Sequence, residues 1–349
     1  MKFRLKQLPF AALAATAALT LAACGSGSSA PEGSAASGSG SSEITVYNAQ
    51  HETMTQAWVD KFTAETGIKV NMRQGDDTEM SNQIVQEGDA SPADVFITEN
   101  SPAMTQVENA GLFTDISDTV KENVPEQFRP SSGKWTGVAA RSTVFVYNKD
   151  KVKEADLPKS LMDLADPKWA GKWGAAPGGA DFQAIVSAML ELKGEQATAD
   201  WLKAMKENAK VYPGNSAAMK AVNAGEIDSA VIYHYYYVGD QARTKENSAN
   251  VAAHYFKNQD PGAFLSISGA GVLKSSQHQE DAMKFVEYIT SKQGQETLGT
   301  GEDYEYPVGK DVAPRAGLIP LAELEAPAVD PAKLNGQKVV ELMTNAGLL

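Results

Sequence analysis

Val138-Ala139-Ala140-Arg141-Ser142-Thr143-Val144-Phe145-Val146-Tyr147 decides the fold. The run is rich in β-branched and aromatic residues and holds no turn former, so it reads as one long strand. A second such run, Phe264-Leu265-Ser266-Ile267-Ser268-Gly269-Ala270-Gly271-Val272-Leu273, reads as a return crossover. Two long strands bracketing a middle segment predict a chain that leaves one domain, builds another and comes back. The expected lobes are 43–140 with about 266–315, and about 141–265 with about 316–349.

Outward from the first run, strands and helices alternate. Ile44-Thr45-Val46-Tyr47 reads as a strand, and Thr53 is the expected cap of a helix running to about Thr66. On that helix Met54, Trp58 and Phe62 recur at i+4 on one face, and Gly67 stops it. Ile68 to Met72 is the next strand, Glu79 to Glu87 a helix, and Asp94 to Thr98 a buried strand. Ser101 as cap and Pro102 at the first helical position open another helix. Beyond the long run, Trp173 to Ala176 is strand-like and Pro177 to Ala180 is a loop. Helices are expected over about Asp181–Leu192, Gln196–Asn208 and Ala217–Asn223, then a strand over Ile227–Tyr233 and a helical, Pro-punctuated C-terminus. Such alternation predicts an α/β fold, parallel sheets covered by helices.

The N-terminus is different in kind. Lys2, Arg4 and Lys6 precede an apolar run from about Leu8 to Ala23. That run falls short of the roughly 20 apolar residues of a membrane span and has the layout of a signal peptide over 1–23. Leu21-Ala22-Ala23-Cys24-Gly25 resembles a bacterial lipobox, whose cysteine carries the lipid. Cys24 is the only cysteine, so no disulfide forms and stability rests on packing. Residues 25–42 are nearly all Gly, Ser, Ala and Pro, the composition of a flexible tether. The roughly 300 residues that remain are too many for one core and suit two domains.

Setting aside the three basic residues of the signal segment leaves 28 basic against 44 acidic, a net charge of −16. That balance excludes nucleic acid as a partner.

Three groups attract attention because each follows an expected strand: His51, Glu99, and the run Tyr233-His234-Tyr235-Tyr236-Tyr237. In open α/β sheets, ligands bind beyond the carboxyl ends of the strands, so these distant residues have a route to one cleft. Thiolates are absent from the folded part, and the four histidines form no HxxxH-type pair, which disfavours iron–sulfur and zinc chemistry. A tyrosine cluster points elsewhere. Ionising one phenol at pH 7 costs about 4 kcal/mol, which a highly charged cation offsets. Two phenolates and a carboxylate supply three negative charges, the match for Fe(III), with an imidazole as neutral fourth donor. Tyr235 and Tyr236 are adjacent and reach one ion only from a loop or a first helical turn, because strand neighbours point to opposite faces.

Gly178-Gly179-Ala180 opens a helix whose free N–H groups suit an anion, and Arg141 and Asn215 are further donors. Taken singly, every one of these residues has an ordinary alternative. His51 suits a cap, Glu99 a solvated strand end, and the tyrosines a packed core edge. Arg141 suits pairing with a local carboxylate, Asn215 a helix cap, and Gly-Gly a turn.

Taken together, the segments resemble the bacterial ferric-ion-binding proteins, the substrate-binding components of iron(III) ABC transporters. The resemblance rests on Thr45-Val46-Tyr47-Asn48-Ala49-Gln50-His51, Thr66-Gly67-Ile68-Lys69-Val70, and Ser91-Pro92-Ala93-Asp94-Val95-Phe96 with Glu99. It continues through Asn223-Ala224-Gly225-Glu226-Ile227-Asp228 into Tyr235-Tyr236, then Asp260-Pro261-Gly262-Ala263 and Val272-Leu273-Lys274-Ser275-Ser276. It implies a type II periplasmic-binding-protein fold, two lobes joined by two crossover β-strands. It implies iron ligands at His51, Glu99, Tyr235 and Tyr236, completed by water and a synergistic anion, phosphate or carbonate, near Gly178, Gly179, Ala180, Asn215 and Arg141. It further implies delivery to an ABC permease driven by its ATPase, from a monomer lipid-anchored at Cys24 to the membrane, on the cell surface or in the periplasm. Family members often carry Ser at the position of Gly178 and Asn at that of Tyr233, so the anion is expected to rely on backbone N–H groups and Arg141. Tyr233 is a candidate further phenolate donor, although strand alternation argues that it points elsewhere than the pair. The competing reading is a binding protein for an organic or anionic solute, such as a polyamine, sugar or phosphonate, in the same cleft. An enzyme is not expected, since no GxSxG, HExxH or P-loop occurs.

Overall fold

The computed structural model describes residues 42–349. The signal segment, Cys24 and the tether up to residue 41 lie outside the described residues. Among the described residues no helix is long and apolar enough to cross a membrane.

The strands are β1 (Glu43–Asn48), β2 (Lys69–Gln74), β3 (Val95–Ile97), β4 (Thr136–Asn148), β5 (Trp173–Ala175), β6 (Ala209–Val211), β7 (Ser229–Tyr233), β8 (Val251–His254) and β9 (Leu265–Val272). The α-helices are α1 (Glu52–Thr66), α2 (Asp77–Glu87), α3 (Ser101–Asn109), α4 (Asp118–Asn123), α5 (Ala180–Lys193), α6 (Glu195–Asn208), α7 (Asn215–Asn223), α8 (His234–Arg243), α9 (Gln279–Thr290), α10 (Lys292–Thr300) and α11 (Gly336–Asn345). The strands join in the order β2-β1-β3-β9-β4-β7-β5-β6, with β8 added beside β4.

Within each half the neighbours are parallel: β1 with β2 and β3, and β5 with β6 and β7. The antiparallel pairings involve the two crossover strands. Residues 136–142 of β4 pair with β9, and residues 143–147 pair with β7, so one strand runs from the first half into the second. The expectation of parallel sheets therefore holds inside each lobe and gives way at the joint, and the result is a two-lobed α/β binding-protein fold.

The central strands are covered on both faces, which is why their sequences lack polar alternation. In β3, Val95 and Ile97 pack with Trp58, Phe62 and Phe285, whereas Phe96 faces Met80, Met104 and Trp135. In β7, Val231 and Tyr233 join the core under α5 and α6, while Ala230 and Ile232 face α7. Met54, Trp58 and Phe62 of α1 are buried in one core, as their spacing requires. Gly67 adopts φ +74° and its N–H caps the Thr63 carbonyl, a left-handed close that favours glycine.

Two expected caps are corrected. His51, not Thr53, occupies the N-cap position of α1; Thr53 lies in the first turn and its hydroxyl donates to Asp303 at 3.1 Å. Asn100, not Ser101, precedes α3, and the Ser101 hydroxyl donates instead to the Ile267 carbonyl at 2.7 Å.

Candidate metal centre

The residues of interest stand beyond the carboxyl ends of four strands, β1, β3, β5 and β7. After β1, the Asn48 amide donates to the Gln50 carbonyl (2.8 Å), and Gln50 is itself buried, donating to Ser268 (2.7 Å). The Gln50 side-chain oxygen accepts the His51 backbone N–H at 2.7 Å, which fixes the turn that presents the imidazole. After β3, the backbone N–H groups of Glu99 and Asn100 each donate to the Asp77 carboxylate at 2.9 Å. Asp77 is buried at the start of α2 and anchors the loop that aims Glu99 at the cleft.

Tyr235 and Tyr236 fall in the first turn of α8, directly after Tyr233 ends β7. Leaving the strand there is what allows adjacent phenols to face one point. Their rings stack with centroids 4.3 Å apart, and Tyr235 meets His51 edge-on at 5.2 Å. His51 Nδ1 lies 3.5 Å from Glu99 Oε1. The structure thus brings His51, Glu99, Tyr235 and Tyr236 into one cleft. Among the described residues no group of three His, Cys, Asp or Glu side chains is arranged to hold a metal alone, so a metal held here has to draw on the phenols.

The loop after β5 leads through Gly178 and Gly179 into α5, with Gly179 as N-cap and Ala180 first in the helix. An added Cβ at Gly178 would meet nothing within 4 Å, so the loop leaves open space at that point. The second residue of α5 is Asp181, a group absent from the sequence expectation. Its carboxylate reaches the tyrosines: Oδ2 accepts from Tyr235 (3.2 Å), Tyr236 (3.4 Å) and the Asn215 amide (2.8 Å). Oδ1 accepts from Asn100 across the cleft at 3.2 Å. Asn215 therefore does not cap α7, whose N-cap is Gly214; it serves Asp181 instead.

Arg141 sits fully buried on β4, and its Nη2 donates to Glu305 and, at 3.3 Å, to Gln50. Its Nε and Nη1 are buried without a hydrogen-bond partner, and its guanidinium lies over the rings of Tyr233 and Tyr235. Tyr233 lies with its ring centroid 6.3 Å from that of Tyr235, and its hydroxyl donates to Asn100 at 3.3 Å. His234 accepts the Ser142 N–H at Nδ1 (3.1 Å) and turns Nε2 to the Tyr304 carbonyl (2.9 Å); burial pushes it down to about 4, so it stays neutral.

The electrostatics favour protons in the cleft. Burial, reinforced by the Asp181 and Glu99 charges, holds the Tyr235 phenol well above its ordinary value. Burial and Asp181 push Tyr236 up to about 12. Burial also raises Asp181, against the pull of Arg141, and pushes Glu99 up to about 7. The two phenols give up their protons near neutral pH only to a strong positive charge.

Residues 90–334 match the model of the bacterial extracellular solute-binding protein family. The Fe(3+)-binding periplasmic protein of Serratia marcescens is 58% identical over the whole of both chains. The major ferric iron-binding protein of Neisseria meningitidis (serogroup A) is 39% identical over 88% of this chain and 93% of its own. Iron-bound HitA of Pseudomonas aeruginosa superposes with a TM-score of 0.82 at 39% identity, covering 88% of this chain and all of that one.

Proposed function

The chain belongs to the ferric-ion-binding proteins of the bacterial extracellular solute-binding family, and from that premise we propose that it captures Fe(III) between its lobes through His51, Glu99, Tyr235, Tyr236 and Asp181. The observation that supports this most is the convergence of two adjacent phenols on one buried carboxylate, opposite an imidazole and a second carboxylate. All five donors are hard or borderline, and four become anionic when their protons leave, which suits a trivalent ion over a divalent one.

Asp181 stands where a synergistic anion is expected. The Asn215 amide, a donor suited to phosphate or carbonate, already serves its carboxylate, which sits in the first turn of α5 where the helix field favours negative charge. One position of a six-coordinate ion then remains for water or a small anion, for which the buried, unpartnered Nε and Nη1 of Arg141 are the candidate donors. The lobes are 43–140 with about 266–315 and about 141–265 with about 316–349. The protein acts as a monomer outside the cytoplasm, held to the membrane by lipid on Cys24, and hands iron to an ABC permease and its ATPase.

Fe(III) added to the purified protein is expected to produce a red to purple colour from phenolate-to-iron charge transfer. Tight iron binding without that colour would overturn the ligand set. A colourless protein that binds a polyamine, sugar or phosphonate in calorimetry would overturn the iron reading.

A further inference from the structure

Glu305 has no part in the ligand set above, yet it is among the most buried charged residues of the chain, with 1% of its surface exposed. It lies on a short segment fixed from both sides. Ala140 and Tyr306 exchange backbone hydrogen bonds, each 2.9 Å, which ties the segment to the crossover strand β4. The Tyr304 carbonyl meets the His234 ring, at the start of the helix that bears Tyr235 and Tyr236.

The Glu305 carboxylate is held by Arg141 and stands 3.3 Å from His51 Nε2. Arg141 also donates to the Gln50 oxygen that accepts the His51 backbone N–H. Glu305, Arg141, Gln50 and His51 therefore form a closed ring of contacts drawn from three distant parts of the chain. A neutral imidazole has one N–H and one lone pair. Nε2 is buried without a hydrogen-bond partner and the Glu305 carboxylate stands 3.3 Å behind it; an N–H placed there is the one Glu305 favours, and it leaves the lone pair of Nδ1 toward Glu99 and the cleft. Replacing a buried ion pair by apolar residues is often neutral or stabilising, so stability alone does not explain Arg141 and Glu305.

We infer that Glu305 is a positioning residue for the metal centre: clamped by Arg141, it sets the orientation and tautomer of His51, so that Nδ1 is presented to the incoming ion. The inference rests on the reading of His51 as a ligand. A carboxylate behind a ligating histidine makes the imidazole a better donor, and loss of such a partner costs about 10- to 100-fold in metal affinity.

The test is a double-mutant cycle on Fe(III) affinity, measured by competition with a chelator, using Glu305→Gln, His51→Ala and the double variant. Glu305→Gln is expected to weaken iron about 10- to 100-fold with His51 present, and to change it by less than about threefold once His51 is gone. Arg141→Gln combined with Glu305→Gln removes the pair as a unit and spares the fold an unpaired buried charge; it should show the same dependence on His51. Pulsed EPR of the iron-loaded protein should show the imidazole-nitrogen coupling altered in both Glu305 variants while the tyrosinate absorption persists. An equal loss in both His51 backgrounds, or no loss beside a clear effect of His51→Ala, overturns the inference. If His51→Ala leaves affinity unchanged, His51 is not a ligand, and that reading fails first.

Discussion

Asp181 Oδ2 stands 3.2 Å from the Tyr235 hydroxyl, so a carboxylate of the protein's own accepts a hydrogen bond from a phenol of the proposed ligand set. The same oxygen serves Tyr236 and Asn215, and all of these partners come from the second lobe. The other oxygen reaches Asn100 of the first lobe. One side chain thus gathers the tyrosines and bridges the cleft, and it does so from the N-terminus of α5, where the field favours its charge.

If Asp181 fills the anion's place, its removal should create a need for one. Asp181→Ala is expected to bind Fe(III) weakly in anion-free buffer and to recover part of its affinity with phosphate or carbonate, which the wild type does not require. Asp181→Asn keeps the shape and loses the charge; it should weaken iron by more than the 10- to 100-fold typical of an outer partner, with little rescue because the amide still fills the space. Affinity titrations with and without each anion decide the matter. An Asp181→Ala protein indifferent to both anions would deny the replacement.

The paired phenols make a separate prediction. Tyr235→Phe and Tyr236→Phe each remove a hydroxyl while keeping the 4.3 Å ring stack. Each single change should weaken the charge-transfer band and shift its maximum, and the double change should abolish it. Thermal stability of the metal-free protein should move little, because Asn215 and Asn100 still satisfy Asp181. Absorption spectra and melting curves of the three variants read both effects.

Cys24→Ser tests the anchor. The wild type is expected in the membrane fraction and in the detergent phase after phase separation, and the variant in the aqueous phase. Iron affinity should not change, because every proposed ligand lies in the fold that begins with β1 at Glu43. A variant that stays with the membrane would mean that something other than the cysteine holds the protein there.

His51, Glu99 and the tyrosine pair were legible because each sits just past a strand that announces itself by β-branched and aromatic residues. The two crossovers were legible for the same reason. Thr53 misleads as a cap because the turn before α1 is set by the side chains of Asn48 and Gln50, through contacts a local pattern does not display. Asp181 hides in plain sight: an acidic residue in a first helical turn is ordinary dipole chemistry, and only its distant partners Asn100, Asn215, Tyr235 and Tyr236 make it a site group. Glu305 has no local mark at all, since Arg141 and His51, which define it, lie far away in the chain. Strands β6 (Ala-Lys-Val) and β8 (Val-Ala-Ala-His) are as short as β3 and β5 or nearly so but lack the Phe or Trp that marked those two.

Protons and iron compete for the cleft, and the direction follows from the groups that hold them. Tyr235 and Tyr236 are protonated in the metal-free protein throughout the neutral range, so each ion bound expels two protons and the logarithm of affinity should rise by about two per pH unit. Glu99, pushed up to about 7, and His51, which against the opposing effect of burial the Glu305 and Glu99 carboxylates hold above its ordinary value, release further protons at lower pH, and the slope should steepen beyond two. Without iron the sign reverses for stability. Glu99 holds its proton more tightly folded than unfolded, so its contribution is complete below its ordinary value of 4.5 and is lost as pH rises through about 7. Asp181, also raised by burial, acts in the same direction. The melting temperature of the metal-free protein should therefore fall across this range and that of the iron-loaded protein should not, while Glu99→Gln should flatten the metal-free curve. A quarter of the Glu99 side chain still meets solvent, so the effect should be modest. Melting curves from pH 4.5 to 8 with and without Fe(III) measure it, and a metal-free protein that stabilises steadily as pH rises would show that Glu99 and Asp181 are not the groups that hold the protons.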